Sequence, residues 1–430
     1  MLRRLVPVVA FAALLILAPA FAEAQSGLRD RIQEELFTFG SCGVPLCLDV
    51  SNIHGDHFLP ALAEGNDAVI AFLTDAIGRA AGSVPLGATS SGATFSFVGG
   101  LPVATSTSAG PIFNERAQTL GKGRFFFGAS VTGIRFTSLN GAPLSNLQLT
   151  FAHQDVAPIN NLGDPILEND IMALELAMDV RVLVGTVVLT YGLADFIDIG
   201  VAVPMVRTSV SGRSEAQIHP FGALAVHHFA GDDADPVLRA AASMEGSASG
   251  IGDVAVRLKI NLGQSSTMGG ALLADVRFPT GDADNLLGAG AAQIRVLGLY
   301  SAQLGTFSPH LNLGYTARAA ETQNDAVYLA VSFDNLMTDW VTLAVGVESE
   351  FQVGDNPLRL PGPFVFDSPF TRQVPATNVP NKSGDLLRGT VGAKFTVRGG
   401  TVLVVNALFP LRDVGLQPDF IWTLGLDFPF

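Results

Sequence analysis

From Asp253 to Leu262 the side chains alternate. Val254, Val256, Leu258, Ile260 and Leu262 are apolar, while Asp253, Arg257, Lys259 and Asn261 are polar. A period of two belongs to a β-strand, because successive Cβ atoms point to opposite faces. The pattern recurs in 341–350, where Val341, Leu343, Val345 and Val347 oppose Thr342, Glu348 and Glu350. It recurs in 387–398, where Leu387, Val391, Phe395 and Val397 oppose Arg388, Thr390, Lys394 and Arg398. In 174–184, Leu174, Leu176, Met178, Val180, Val182 and Val184 oppose Glu175, Asp179 and Arg181. Segments 310–318 and 326–334 alternate more weakly, and 291–304 and 400–410 are blurred. The last stretch, DFIWTLGLDFPF, puts Phe420, Trp422, Leu424, Leu426, Phe428 and Phe430 on one face.

Alternation alone fits either a soluble β-sandwich or a membrane barrel. The composition separates them. The chain is 48% hydrophobic and only 15% charged, against roughly 25% charged in soluble proteins. Its N-terminus reads as an export leader. Arg3 and Arg4 precede an apolar run from Leu5 to Leu17, and Ala22-Glu23-Ala24 is a small-x-small cleavage site. Residues 1–24 are therefore expected to be removed, an uncleaved anchor being the alternative. Losing Arg3, Arg4 and Glu23 takes the net charge from −14 to −15, which disfavours nucleic acid as a partner. After residue 24 no run approaches the roughly 20 apolar residues of a spanning helix. An exported chain this apolar can then enter a lipid bilayer only as a closed barrel, which pairs every backbone polar group internally.

The spacing predicts an all-β transmembrane antiparallel barrel over 121–430. Strands are expected at 124–137, 170–191, 197–210, 251–262, 268–279, 291–304, 308–319, 325–335, 339–353, 386–397, 400–410 and 418–430. A further strand at 144–151 would require another near 94–98, so the count is 12 or 14. The connections at 192–197, 263–267, 305–307, 337–339 and 398–400 are short and fall on one side. Those at 211–249, 280–290, 320–324, 354–385 and 411–417 fall on the other, and two are very long. Short periplasmic turns opposite long external loops are the pattern of the Gram-negative outer membrane. The two-faced last strand, with Phe430 at its end, is similar to the terminal signal read by the outer-membrane assembly machinery. Its even face is expected to meet lipid.

Residues 25–120 do not alternate. Asn66 can cap a helix carrying Val69, Phe72, Leu73, Ala76, Ile77 and Ala80 at helical spacing, and 27–38 reads as a shorter helix. This segment is a lumen plug or a periplasmic extension. Cys42 and Cys47 are the only cysteines, and in an oxidising compartment they are expected to form a disulfide. His54 and His57 form a weak metal pattern, as do His227, His228 and the acidic loop 231–235. Neither is assigned a metal, and no cofactor is expected.

Four short motifs recur in order with barrel spacing: Tyr191-Gly-Leu-Ala-Asp195, Ile199-Gly-Val-Ala-Val-Pro204, Gly250-Ile-Gly-Asp253 and Pro279-Thr-Gly-Asp282. Over about 170–430 the chain resembles the outer-membrane family associated with the phenol meta-cleavage pathway, itself similar to long-chain fatty-acid transporters. The resemblance implies uptake of small hydrophobic molecules. The motifs themselves read as fold markers. The stretch 110–123 is similar to segments of related chains and carries no assigned role.

No Gly-x-Ser-x-Gly, His-Glu-x-x-His or P-loop occurs, so an enzyme is not expected. Arg257, Lys259, Asp275, Arg277, Glu348, Glu350 and Lys394 are the candidate lumen lining, and the parity of His310 also points inward. Phe364, Phe366 and Phe370 lie in an apolar, Pro-rich external loop and are candidate entry contacts. The expected function is passive uptake of small hydrophobic or aromatic compounds. A diffusion porin and a structural or adhesive barrel are the alternatives.

Overall fold

The computed structural model describes residues 27–48, 54–59, 67–82, 95–98, 101–104, 110, 114–155, 168–222, 225–319, 323–356, 358–382, 384–397 and 400–429. Residues 1–24, expected to be a leader, and Asn66 and Phe430 lie outside the described residues. No helix among the described residues is long and apolar enough to cross a membrane.

Twelve antiparallel strands close on themselves. They are β1 (Phe125–Leu139), β2 (Ile171–Ala194), β3 (Ile197–His219), β4 (Ala255–Gln264), β5 (Met268–Arg277), β6 (Gln293–Ala302), β7 (Phe307–Arg318), β8 (Asp325–Thr338), β9 (Val341–Val353), β10 (Leu386–Thr396), β11 (Val402–Pro410) and β12 (Leu416–Pro429). Each strand pairs with the next, and β12 returns to β1, pairing Trp422 with Gly133 and Phe428 with Phe127. The short connections fall at one end and the long ones at the other, as the sequence predicts. The end with the short connections is the periplasmic one.

The two extra candidate strands do not enter the wall as separate staves. Leu147–Ala152 pairs with the upper part of β2 and prolongs β1 above the membrane. Among the described residues, Phe95–Val98 pairs only with Leu101–Ala104. The count is therefore 12.

The outer face shows where the bilayer ends. On β2 the outward residues from Leu183 to Leu193 are apolar, a span of about 11 residues that suits a tilted membrane strand. Above it, Asp179 takes ion pairs from Arg135 and Arg181 at 2.8 and 2.7 Å. On β3, exposed Ile199 and Val201 give way to exposed Arg207, Arg213 and Glu215. At the periplasmic edge, aromatic pairs form a girdle: Phe125–Tyr191 at 4.6 Å, Phe307–Phe333 at 5.2 Å and Trp340–Phe395 at 6.1 Å between centroids. Phe420, Trp422 and Leu424 face outward, as expected of the last strand.

The segment 211–249 is mostly not a loop. β3 continues to His219, and Arg239–Ile251 pairs along it from Met205 to Gln217. Its outward residues are mostly polar because this part of the sheet stands in water, so a membrane-strand pattern does not find it. The faces of 174–184 are likewise set by water. Glu175, Asp179 and Arg181 point outward, and Leu174, Leu176, Met178 and Val180 point inward and are buried.

Those inward residues meet the N-terminal segment. Helices α1 (Leu28–Glu35) and α2 (Asp67–Gly82) place Leu28, Ile32, Leu73 and Ile77 in one cluster with the inner faces of β1, β2 and β3. Gly246 lets α1 approach the wall, since a Cβ there would lie 2.6 Å from Leu28 Cδ2. Cys42 and Cys47 are joined as a disulfide, with Cα atoms 5.8 Å apart.

Candidate functional site

In the periplasmic half of the barrel, residues 114–120 run along the inner wall. Their backbone is satisfied by inward side chains. The Glu115 amide donates to Asn312 Oδ1 at 2.9 Å, and Asn312 Nδ2 donates back to the Glu115 carbonyl at 2.9 Å. The Ala117 amide donates to Ser301 Oγ at 3.0 Å, and its carbonyl accepts from Asn261 Nδ2 at 2.9 Å. The Leu120 amide meets both Asp198 oxygens, at 3.1 and 3.0 Å. These bonds replace water for a non-helical backbone at membrane depth, where unsatisfied groups are costly.

Glu115 is buried and ties the segment to two cations. It pairs with Arg257 at 3.2 Å and Lys259 at 3.0 Å. Arg257 in turn pairs with Asp275 at 2.7 Å, and Arg277 lies 3.5 Å from the other oxygen of Asp275. Higher up, Glu350 takes Arg295 at 2.9 Å and Arg318 at 2.8 Å, and Glu348 takes Arg388 at 3.3 Å. Lys394 points inward and is 2% exposed. The seven candidate lining residues thus share the lumen and are mostly paired. The wall side of this network consists of residues with alternating parity. Parity misses Glu115 and Arg116, because 110–123 has no periodicity.

Ser301, His310 and Asp334 form a relay. Ser301 Oγ lies 2.8 Å from His310 Nδ1, and His310 Nε2 lies 2.5 Å from Asp334. The connectivity is that of a hydrolase triad, but the serine oxygen accepts the Ala117 amide and is 1% exposed. Here the relay anchors the segment.

In the outer half, a cavity of about 150 Å³ lies between α2 and the wall. Phe72, Ile134, Phe136 and Leu386 line it with Arg79 and Arg388. Arg79 packs over the Phe72 ring at 5.3 Å. Among the described residues, the Nε atoms of Arg79 and Arg388 are buried without hydrogen-bond partners. Burial pushes Arg79 down to about 10, so it stays cationic at neutral pH.

The candidate entry phenylalanines divide. Phe366 is fully buried, with Arg372 stacked 4.2 Å above its ring. Phe370 is 60% exposed and lies 6.1 Å from Phe221. Phe364 is half-buried on a short hairpin with Val374. In the acidic loop, Asp232 accepts the amides of Ala234 and Asp235. His54 and His57, far apart in sequence from His227, converge with it at the outer mouth.

The motifs of 191–282 clasp backbone. Asp195 accepts the Lys122 amide at 3.1 Å, and Gly192 accepts the Gly123 amide at 2.7 Å. Asp253 accepts the amides of Gly281 at 3.0 Å and Ala289 at 2.7 Å. Thr280 accepts from Val254 and donates to Gly252.

No curated protein matches the chain in sequence. Among solved structures, an outer-membrane channel from Pseudomonas putida F1 is similar at 12% identity and a TM-score of 0.43, over 73% of this chain and 98% of that one. A FadL homologue of Pseudomonas aeruginosa is 12% identical at a TM-score of 0.34, over 71% of this chain and 90% of that one. A mutant of the TodX monoaromatic hydrocarbon channel is 11% identical at a TM-score of 0.31, over 71% and 89%. The stretch that carries β2 to β9, residues 174–355, matches the family described as "Putative MetA-pathway of phenol degradation", and this outer-membrane barrel resembles that family there.

Proposed function

We propose that this barrel passes small hydrophobic or aromatic compounds across the outer membrane without an energy source, and that its N-terminal segment occludes the aqueous path. The observation that carries the reading is the cavity between α2 and the wall. Its volume of about 150 Å³ is that of apolar cavities that take up one benzene. Its lining is mixed: Phe72, Ile134, Phe136 and Leu386 offer an apolar side, and Arg79, Arg388 and Glu350 a polar one, which favours an aromatic ring bearing an oxygen. The description of the matched family, phenol degradation, fits such a cargo.

A diffusion porin is the competing reading, and the paired lining weighs against it, since mutual ion pairs leave few charges to attract solutes. The chain is read as a transporter rather than an enzyme. The last strand, ending in the stretch to Phe430, is the segment offered to the assembly machinery.

The test combines conductance and uptake. In a planar bilayer the folded protein should be silent, while deletion of 25–120 should produce steady channels. Liposomes carrying the intact protein should take up phenol faster than empty ones. A large steady conductance from the intact protein would replace the transporter by a porin.

A further inference from the structure

Four imidazoles from distant parts of the chain meet at the outer mouth. His54 and His57 come from the N-terminal segment, His153 follows the wall extension Leu147–Ala152, and His227 lies in the connection after β3. His57 Nδ1 is 3.4 Å from His54 Nδ1, 3.5 Å from His227 Nε2 and 2.6 Å from His153 Nε2. A tetrahedral zinc ion with Zn–N distances of about 2.0–2.1 Å holds its ligand nitrogens roughly 3.3–3.4 Å apart. The first two separations already have that size; the third, at 2.6 Å, is shorter, so His153 must swing outward by about 0.7 Å to join as a ligand. The ligand atoms of His54, His57 and His227 all lie within 4.8 Å of one another.

The surroundings orient the rings as metal ligands. His227 Nδ1 lies 2.8 Å from Asp170 Oδ2, with both side chains fully buried. An N–H there donates to the carboxylate and leaves Nε2 with its lone pair toward the cluster, the usual carboxylate–histidine–metal arrangement. Asp170 is itself fixed by the Phe221 amide at 2.7 Å. His153 Nδ1 donates to the Gln154 carbonyl at 2.5 Å, so its Nε2 lone pair also faces His57. His57 Nδ1 can offer one hydrogen to only one of these two acceptors. A cation satisfies both. Phe58 packs its ring 5.8 Å from His153 and 5.5 Å from His227 and closes the apolar side.

We propose that His54, His57 and His227 bind a divalent ion of the zinc class, with His153 beside them as a fourth nitrogen. Imidazole donors suit zinc, copper and nickel, and a closed nitrogen set suits a structural zinc. His57 and His153 are 96 residues apart, and His57 and His227 are 170 apart. The ion would therefore staple the N-terminal segment to the outer wall and couple the order of that segment to metal supply.

The test uses the full protein, folded in detergent, stripped with a chelator and titrated with Zn²⁺ and Co²⁺. One Zn²⁺ per chain at submicromolar affinity, with the visible bands of tetrahedral Co²⁺, is the expected result. D170N should weaken binding about 10–100-fold, the range for a supporting carboxylate, and H57A and H227A, which remove ligands, by at least about 100-fold. The heat-modifiable mobility of the barrel should be unchanged. The half-exposed His54 gives a second variant, H54A, should a buried one misfold. Absence of stoichiometric binding by the unaltered protein would overturn the proposal. So would equal Zn²⁺ affinity in folded variants.

Discussion

Glu115 sets a carboxylate oxygen 3.0 Å from the ammonium of Lys259, inside the barrel and almost wholly out of water. A residue from outside the β-pattern thus neutralises a cation of the wall. Removing one partner of a buried ion pair costs about 3–5 kcal/mol, because the other charge is stranded. E115A should therefore release the segment around 114–120. In single-channel recording the silent barrel should show brief openings, and E115A with K259M should close more often than E115A alone. Recordings of E115A as silent as the parent would show that Glu115 does not hold the segment.

Trp422 lies over Gly133 where the last strand meets the first. A Cβ on Gly133 would fall 2.4 Å from the indole. G133V should displace the ring and destabilise the seam by about 1–3 kcal/mol, the usual cost of overpacking. Urea unfolding in lipid vesicles measures this. W422A should lower stability in the parent but relieve the strain in G133V, so the double variant should lose less than the two losses added.

A bulky residue at Ala76 should fill the cavity against α2. A76W is expected to reduce phenol uptake by about tenfold while the barrel stays closed to ions. This magnitude corresponds to about 1.4 kcal/mol of lost binding. Arg79→Met should spare benzene and reduce phenol uptake, since only the oxygen-bearing ring uses the guanidinium. Parallel liposome uptake assays with the two compounds read the difference.

Ser301 accepts the Ala117 amide at 3.0 Å. S301A leaves that buried donor without an acceptor, a loss of about 1–3 kcal/mol. Hydrogen exchange at 114–120 should accelerate, by roughly 5- to 150-fold if the whole penalty appears as local opening. The unaltered protein should not cleave nitrophenyl esters. Ester cleavage abolished by S301A would make the relay catalytic.

Much of the wall was legible from alternation, because lipid on one side and a polar interior on the other impose a period of two. Parity gave Arg257, Lys259, Asp275 and Glu348 one common face, and loop lengths assigned the ends. The strand count was open, since 147–152 alternates like a membrane strand although it stands above the bilayer. There water replaces lipid, so the polar face of 174–184 points outward and the same alternation means the reverse. The hairpin of 205–251 was hidden for that reason. Contacts between distant, non-periodic segments leave no local signature. The pairing of Glu115 with Lys259, the ring-sized cavity beside Phe72 and Arg79, and the meeting of His54 and His57 with His227 are of this kind. Chain pattern determined the barrel, because each strand answers to its own solvent. Tertiary structure decided which residues meet at its inner face, because those contacts exist only once segments far apart in the chain pack against the closed wall.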